Sequence, residues 1–182
     1  MPSAPERRVL DRPAAEVLRP VALWVLPVAE RAAALYVEEN PTDDRVRAAL
    51  AATRAFAEGA RRGKELRTTA WAAHKAASES PVPAQKAAAR AVSLAASVAY
   101  MHPELVDANQ LKHVLGPVVY TAHAFELQAD GDETVGTRIL QQSSASVTDE
   151  VRELVSSMPP LLQTRTQLSR LYATLDSLIR LP

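Results

Sequence analysis

The chain has 182 residues, a hydrophobic fraction of 47%, only 4% aromatics, and 21 Lys+Arg against 21 Asp+Glu. That length suits one domain with or without an extension, and the balanced charge gives no global electrostatic reason to seek nucleic acid or an anionic membrane. The absence of cysteine excludes disulfides, thiol catalysis and cysteine-held zinc or iron–sulfur centres, and makes a reducing cytoplasm the expected location.

Residues 1–12 are polar and lack the apolar core of a signal peptide, so 1–19 read as an N-terminal arm, with Asp11 capping a short helix over 12–18. Pro20 suits the first turn of a helix over 20–39, which Pro27 should kink. No uncharged apolar run reaches the length of a membrane span. Asn40-Pro41 breaks the chain, and Thr42 or Asp43 caps a helix over 43–58 that Gly59 ends. The basic run 61-RRGKE-65 leads to a helix over 64–79 with Leu66, Ala70, Ala73 and Ala77 on its inner face. Two prolines in 78-SESPVP-83 stop it and start a helix over 83–101. There Ala84, Ala87, Ala88, Ala91, Leu94, Ala95, Val98 and Met101 recur three and four apart, a face small enough for close helix approach.

A helix over 108–128 follows, with Leu111, Val114, Leu115, Val118, Ala122 and Phe125 as its core stripe and Pro117 as an interruption. The segment 129–136 reads as a boundary, after which alanine gives way to leucine, serine, threonine and glutamine. Helices are expected over 146–158 and 160–180. The second carries Leu161, Thr164, Leu168, Leu171, Leu175 and Leu178 at heptad-like spacing. The fold class is therefore all-α: an alanine-rich bundle of about five core helices over 20–130, with a C-terminal helical hairpin over 131–182.

No phosphate loop, dinucleotide fingerprint, nucleophile elbow or HExxH spacing is present, so no catalytic residue, metal ligand or cofactor is assigned. On the fifth helix, His113, Gly116, Tyr120 and His123 share the face opposite the apolar stripe. That face is a solvent surface, a binding surface or a proton-transfer site. Trp71 and His74, three apart, read as a core filler with its neighbour or as an anchor for a partner. Leu168, Leu171 and Leu175 either pack at home or grip another chain, as a homodimer or with a different protein. Arg61, Arg62, Lys64 and Arg67 form a basic helix end, or a phosphate-contacting patch if the chain is a nucleic-acid-binding or small-ligand regulator. Glu38, Glu39, Asp43 and Asp44 surround the first break and read as helix-start charges or as a seat for a basic partner. An enzyme centred on His74 or His113 is the remaining alternative.

The stretches 22-ALWVLPVAERAAALYVEENPTDDRVRAALAATRAFAEG-59, 66-LRTTAWAAHKAA-77, 87-AAARAVSLAASVAYMH-102 and 113-HVLGPVVYTAHAFEL-127 resemble a bacterial family common in actinobacteria, the immunity proteins of the Imm-five-like type. The matching positions are Trp24, Glu30, Arg31, Asp44, Arg45, Arg54, Phe56, Gly59, Leu66, Arg67, His74, Arg90, His113, Gly116 and Tyr120. The resemblance spans residues 20–128; the join at 100–112 is longer than the family's, and the tail after Asp130 lies outside the pattern. It implies a protein partner, a cognate toxin or larger complex, bound stoichiometrically and blocked without turnover. Members are also labelled as an SbcC-like exonuclease subunit, for which this sequence has no phosphate loop, no CxxC zinc hook and no long coiled coil.

Overall fold

The computed structural model describes residues 14–102 and 107–181; residues 1–13 of the expected arm, with the Asp11 cap, lie outside them, and 14–19 are helical rather than an arm. The described residues form eight α-helices and no strands: α1 Ala14–Glu39, α2 Arg45–Ala57, α3 Lys64–Glu79, α4 Pro83–Ser97, α5 Ala108–Gln128, α6 Glu133–Ala145, α7 Asp149–Ser156 and α8 Gln167–Arg180. A single 3₁₀ turn, Val98–Tyr100, closes α4 where the α-helix was expected to run on to 101.

Alanine sets the packing. In α4, Ala87, Ala88, Ala89, Ala91, Val92, Leu94, Ala95 and Ala96 are all buried, and a helix apolar on most sides belongs in the centre of a bundle. It lies against α1, α2, α3 and α5. Close approach is explicit at Gly116 of α5: a Cβ there would stand 2.8 Å from Leu94 Cδ1, so any larger residue requires the Leu94 side chain to move. Helices α6 and α8 pack on α5 and on each other, and α7 packs on α1 and α8.

The sequence predicts two helices before residue 40, and the structure has one. Pro20 and Pro27 both lie inside α1. Each removes one intrahelical bond at a cost of about 3 kcal/mol. The carbonyls left without that bond belong to Glu16 and Leu23, both exposed, so water can satisfy them. Burial of Val17, Leu18, Val21, Ala22, Val25, Val28 and Ala29 on the opposite side outweighs the loss. Pro117 in α5 follows the same rule, because the carbonyl it releases belongs to exposed His113. By length and composition α1 could cross a membrane, with a mean hydropathy of 1.3 over its most apolar window, but 56% of that window is buried inside the bundle.

The expected boundary at 129–136 is a tight turn and the start of α6. Asp130 and Gly131 both have positive φ, 53° and 88°, and Gly131 N–H closes on the Glu126 carbonyl at 2.8 Å. Asp132 then caps α6 by accepting from Thr134 N–H at 2.9 Å. The last helix begins at Gln167, later than residue 160. The preceding loop is tied to it by Leu161 N–H donating to Asp176 Oδ2 at 2.8 Å. Arg180 answers by donating to the carbonyls of Val155 and Met158, each at 2.9 Å.

Candidate functional site: a cationic groove across three helices

Helices α3, α4 and α5 enclose a groove of two lobes. The first, of about 300 Å³, is lined among others by Arg67, Trp71, His74, Arg90, Tyr100 and His113. The second, of about 370 Å³, is lined by His74, Lys86, Arg90, Tyr120, His123 and Leu168 with apolar neighbours. His74 and Arg90 belong to both and form the waist between them. The site is thus assembled from successive turns of α3 and α4, the polar face of α5, Tyr100 of the 3₁₀ turn, and Leu168 from α8.

The local chemistry starts at Arg90, the one charged side chain in the middle of the alanine run of α4. Its Nη1 donates to His74 Nδ1. A guanidinium cannot accept, so His74 Nδ1 carries a lone pair and the proton of the neutral ring sits on Nε2. Loss of solvent and then the Arg90 charge hold the His74 pKa below its ordinary value. The same two causes lower His113, with Asp107 opposing them. His123 is lowered by burial, with Glu126 opposing and Arg170 reinforcing; its Nδ1 is buried without a hydrogen-bond partner among the described residues. Tyr172 OH, adjacent to the Gly116 crossing, is pushed up by burial and by Tyr120, with Arg90 opposing. All three histidines are therefore mostly neutral near pH 7.

Trp71 sits on the rim, 67% exposed, with its ring edge-to-face on His74 at 5.7 Å. It is not a core filler. Arg67 stacks over the Tyr100 ring at 4.7 Å, and Tyr100 OH donates to the Gly63 carbonyl.

The structure therefore brings together five of the residues singled out from sequence: Trp71, His74, His113, Tyr120 and His123. It separates the C-terminal leucines from one another. Leu168 is half-buried at the second lobe, whereas Leu171 and Leu175 are fully buried in the core. The inner face of α8 is spent on α5 and α6, so neither leucine has surface to offer a partner or a second copy. The basic patch is also divided. All four residues are exposed, but Arg62 donates to the Ala99 carbonyl at 3.0 Å and Arg67 is held on Tyr100. The acidic break is likewise partly internal, because Asp43 is engaged by Arg45 at 2.7 Å and by Tyr36 OH at 2.8 Å.

Arg90, Lys86, Tyr100 and Tyr172 were not singled out as site residues from the sequence. For Arg90 a signal existed: a lone arginine flanked by buried alanines on both sides needs a partner or a purpose. Tyr172 offered none, since its contact with α5 is made across the fold.

Among the described residues no group of three or more His, Asp or Glu could hold a metal ion. A family model described as Imm-5 like putative immunity protein matches residues 16–150. The match runs past Asp130, where the resemblance was expected to stop, and takes in α6. Comparison with curated proteins and with solved structures gave no match.

Proposed function

The chain belongs to the Imm-5 like putative immunity protein family, and from that premise we propose that it is a cytoplasmic binding protein that holds a toxin protein in a stoichiometric complex and blocks it without turnover. The observation that supports this reading is Trp71. A tryptophan with two thirds of its surface in water, on the rim of a groove and braced by His74, has no role in the core. Large rigid aromatics at the edge of a concavity are the residues that dominate binding energy at protein interfaces. The α3–α5 face supplies both the anchor and a recess beside it.

The test is co-expression. Each protein encoded beside this chain's gene is produced alone and with this chain, and growth and complex formation are scored. One neighbour should arrest growth alone, be neutralised by this chain, and co-purify with it one to one. Trp71→Ala should release the toxin while leaving the bundle's melting temperature unchanged. If no neighbour is toxic, or if neutralisation proceeds without a complex, the proposal fails.

A further inference from the structure

The other half-buried arginines are answered by carboxylates or by backbone carbonyls, Arg19 by Phe56 and Arg152 by Ile179 and Leu181 in the second way. Arg45 is paired with Asp43 and Glu79, Arg170 with Glu126, and Arg180 with Asp176. Arg90 differs. Its hydrogen bond goes to a neutral imidazole, and no carboxylate among the described residues lines either lobe of its groove. The lining instead adds Lys86 and Arg67 to Arg90, with His74, His113 and His123 as further donors or latent cations. The chain as a whole carries equal numbers of acidic and basic groups, so this segregation is local. A partly desolvated guanidinium without a counter-charge is costly, and the missing charge is what a ligand would bring. Apart from Ser78, Ser93 and Ser97, the remaining lining is apolar or aromatic, with Ala70, Leu94 and Tyr100 in one lobe and Ala77, Ala87 and Leu127 in the other.

We infer that the waist of the groove is an oxyanion seat, in which the Arg90 guanidinium, flanked by His74 and His113, takes the carboxylate or phosphate head of a molecule whose apolar body lies along one lobe. Arg90 presents a planar fork suited to two-point binding of either head group. His74 Nε2–H is a donor fixed by the Nδ1 contact. The site is complete in the isolated chain, so it stands or falls independently of any toxin. The head group has two sources, a free organic phosphate or an acidic segment of a protein, and two probes separate them.

The experiment follows the histidine ring resonances of the whole chain by NMR during titration with phenyl phosphate, with the dipeptide N-acetyl-phenylalanyl-glutamate amide, and with benzyl alcohol as a neutral control. Saturable shifts of His74 and His113 are expected with an anionic probe and not with benzyl alcohol. Arg90→Gln should weaken binding about 10- to 100-fold, the effect of losing a charge-assisted contact. Arg90→Lys should fall between. Should Arg90→Gln fail to fold, His113→Ala, at an exposed position on the same seat, should weaken the same probe. Tighter binding of phenyl phosphate identifies a small organic phosphate as the occupant class; tighter binding of the dipeptide identifies an acidic protein segment. Absence of saturable shifts with both anions, or affinity unchanged in Arg90→Gln, overturns the proposal.

Discussion

The carboxylate of Glu126 occupies the space that a side chain at Gly136 would fill: a Cβ there would lie 2.1 Å from Glu126 Oε1 and 2.5 Å from its Cδ. Glu126 is fully buried, accepting from Gln167 at 2.6 Å and Arg170 at 2.9 Å. One acidic residue of α5 thus fixes α6 through a missing side chain and α8 through two hydrogen bonds. Because Glu126 is pinned, it cannot swing away cheaply. Gly136→Ala is expected to destabilise the fold by about 1–3 kcal/mol, the range for overpacking, despite alanine's better helix propensity. Chemical denaturation measures this. Pairing it with Glu126→Ala should cost less than the sum of the two single changes, since the collision is then gone.

Asp43 likewise links three helices. It accepts from Tyr36 OH of α1 and from Arg45 of α2, whose Nη1 reaches Glu79 of α3 at 2.6 Å. Arg45 first, and Tyr36 with it, hold the Asp43 carboxyl well below its ordinary value of 3.8, while burial and Asp43 push the Tyr36 hydroxyl up to about 12. A depressed carboxylate contributes stability that is present above its unfolded pKa and lost as pH falls through the folded one. Asp43→Asn should therefore cost about 1–3 kcal/mol at pH 7, and the gap between wild type and variant should close as pH falls below 3.8. Urea midpoints across that range give the answer.

The groove histidines work in the same sense, at higher pH. His74, His113 and His123 are all lowered from 6.5 in the fold. The unfolded chain then binds protons first, so stability falls as pH drops through 6.5 and goes on falling until the folded groups protonate. The groups facing them are Arg67, Lys86 and Arg90 from α3 and α4, with Asp107, Glu126 and Arg170 acting on the α5 histidines. Melting temperature should decline between pH 7 and 5, and His74→Gln should flatten that decline. A melting temperature constant over this interval would contradict the neutral state assigned to the three rings.

Two residues named together as partner contacts should part company on substitution. Trp71→Ala removes an exposed ring and should change stability by no more than about 0.5 kcal/mol. Leu171→Ala empties a fully buried position and should cost about 2–5 kcal/mol. Parallel denaturation curves separate anchor from core.

The helices best read from sequence were those with strong punctuation. The ranges 64–79 and 108–128 coincide with α3 and α5, because 78-SESPVP-83 and the Asp107 cap state their ends in local chemistry. Asp107 accepts from the backbone of Asn109 and Gln110 at 2.8 and 2.9 Å. Helix α6 was missed since Gly136, Thr134, Thr137 and its serines are weak helix formers and only Ile139 and Leu140 mark a face. Its glycine is explained by Glu126, ten positions back in another helix, a contact that no local pattern encodes. The α5 histidine face was legible as a wheel position; its meeting with His74 and Arg90 was not, because that depends on how α3, α4 and α5 are set side by side.

Trp24 Nε1 of α1 donates to the carbonyl of Ser143 in α6 at 2.9 Å, across 119 positions of chain. A ribosome adding about 5–20 residues per second needs on the order of ten seconds to cover that distance. During that interval α1 is covered only stepwise, as α4, α5 and finally α6 are added. Chaperones that recognise extended apolar segments would find their target there. The bundle's central scaffold is thus also the part of the nascent chain most exposed to aggregation.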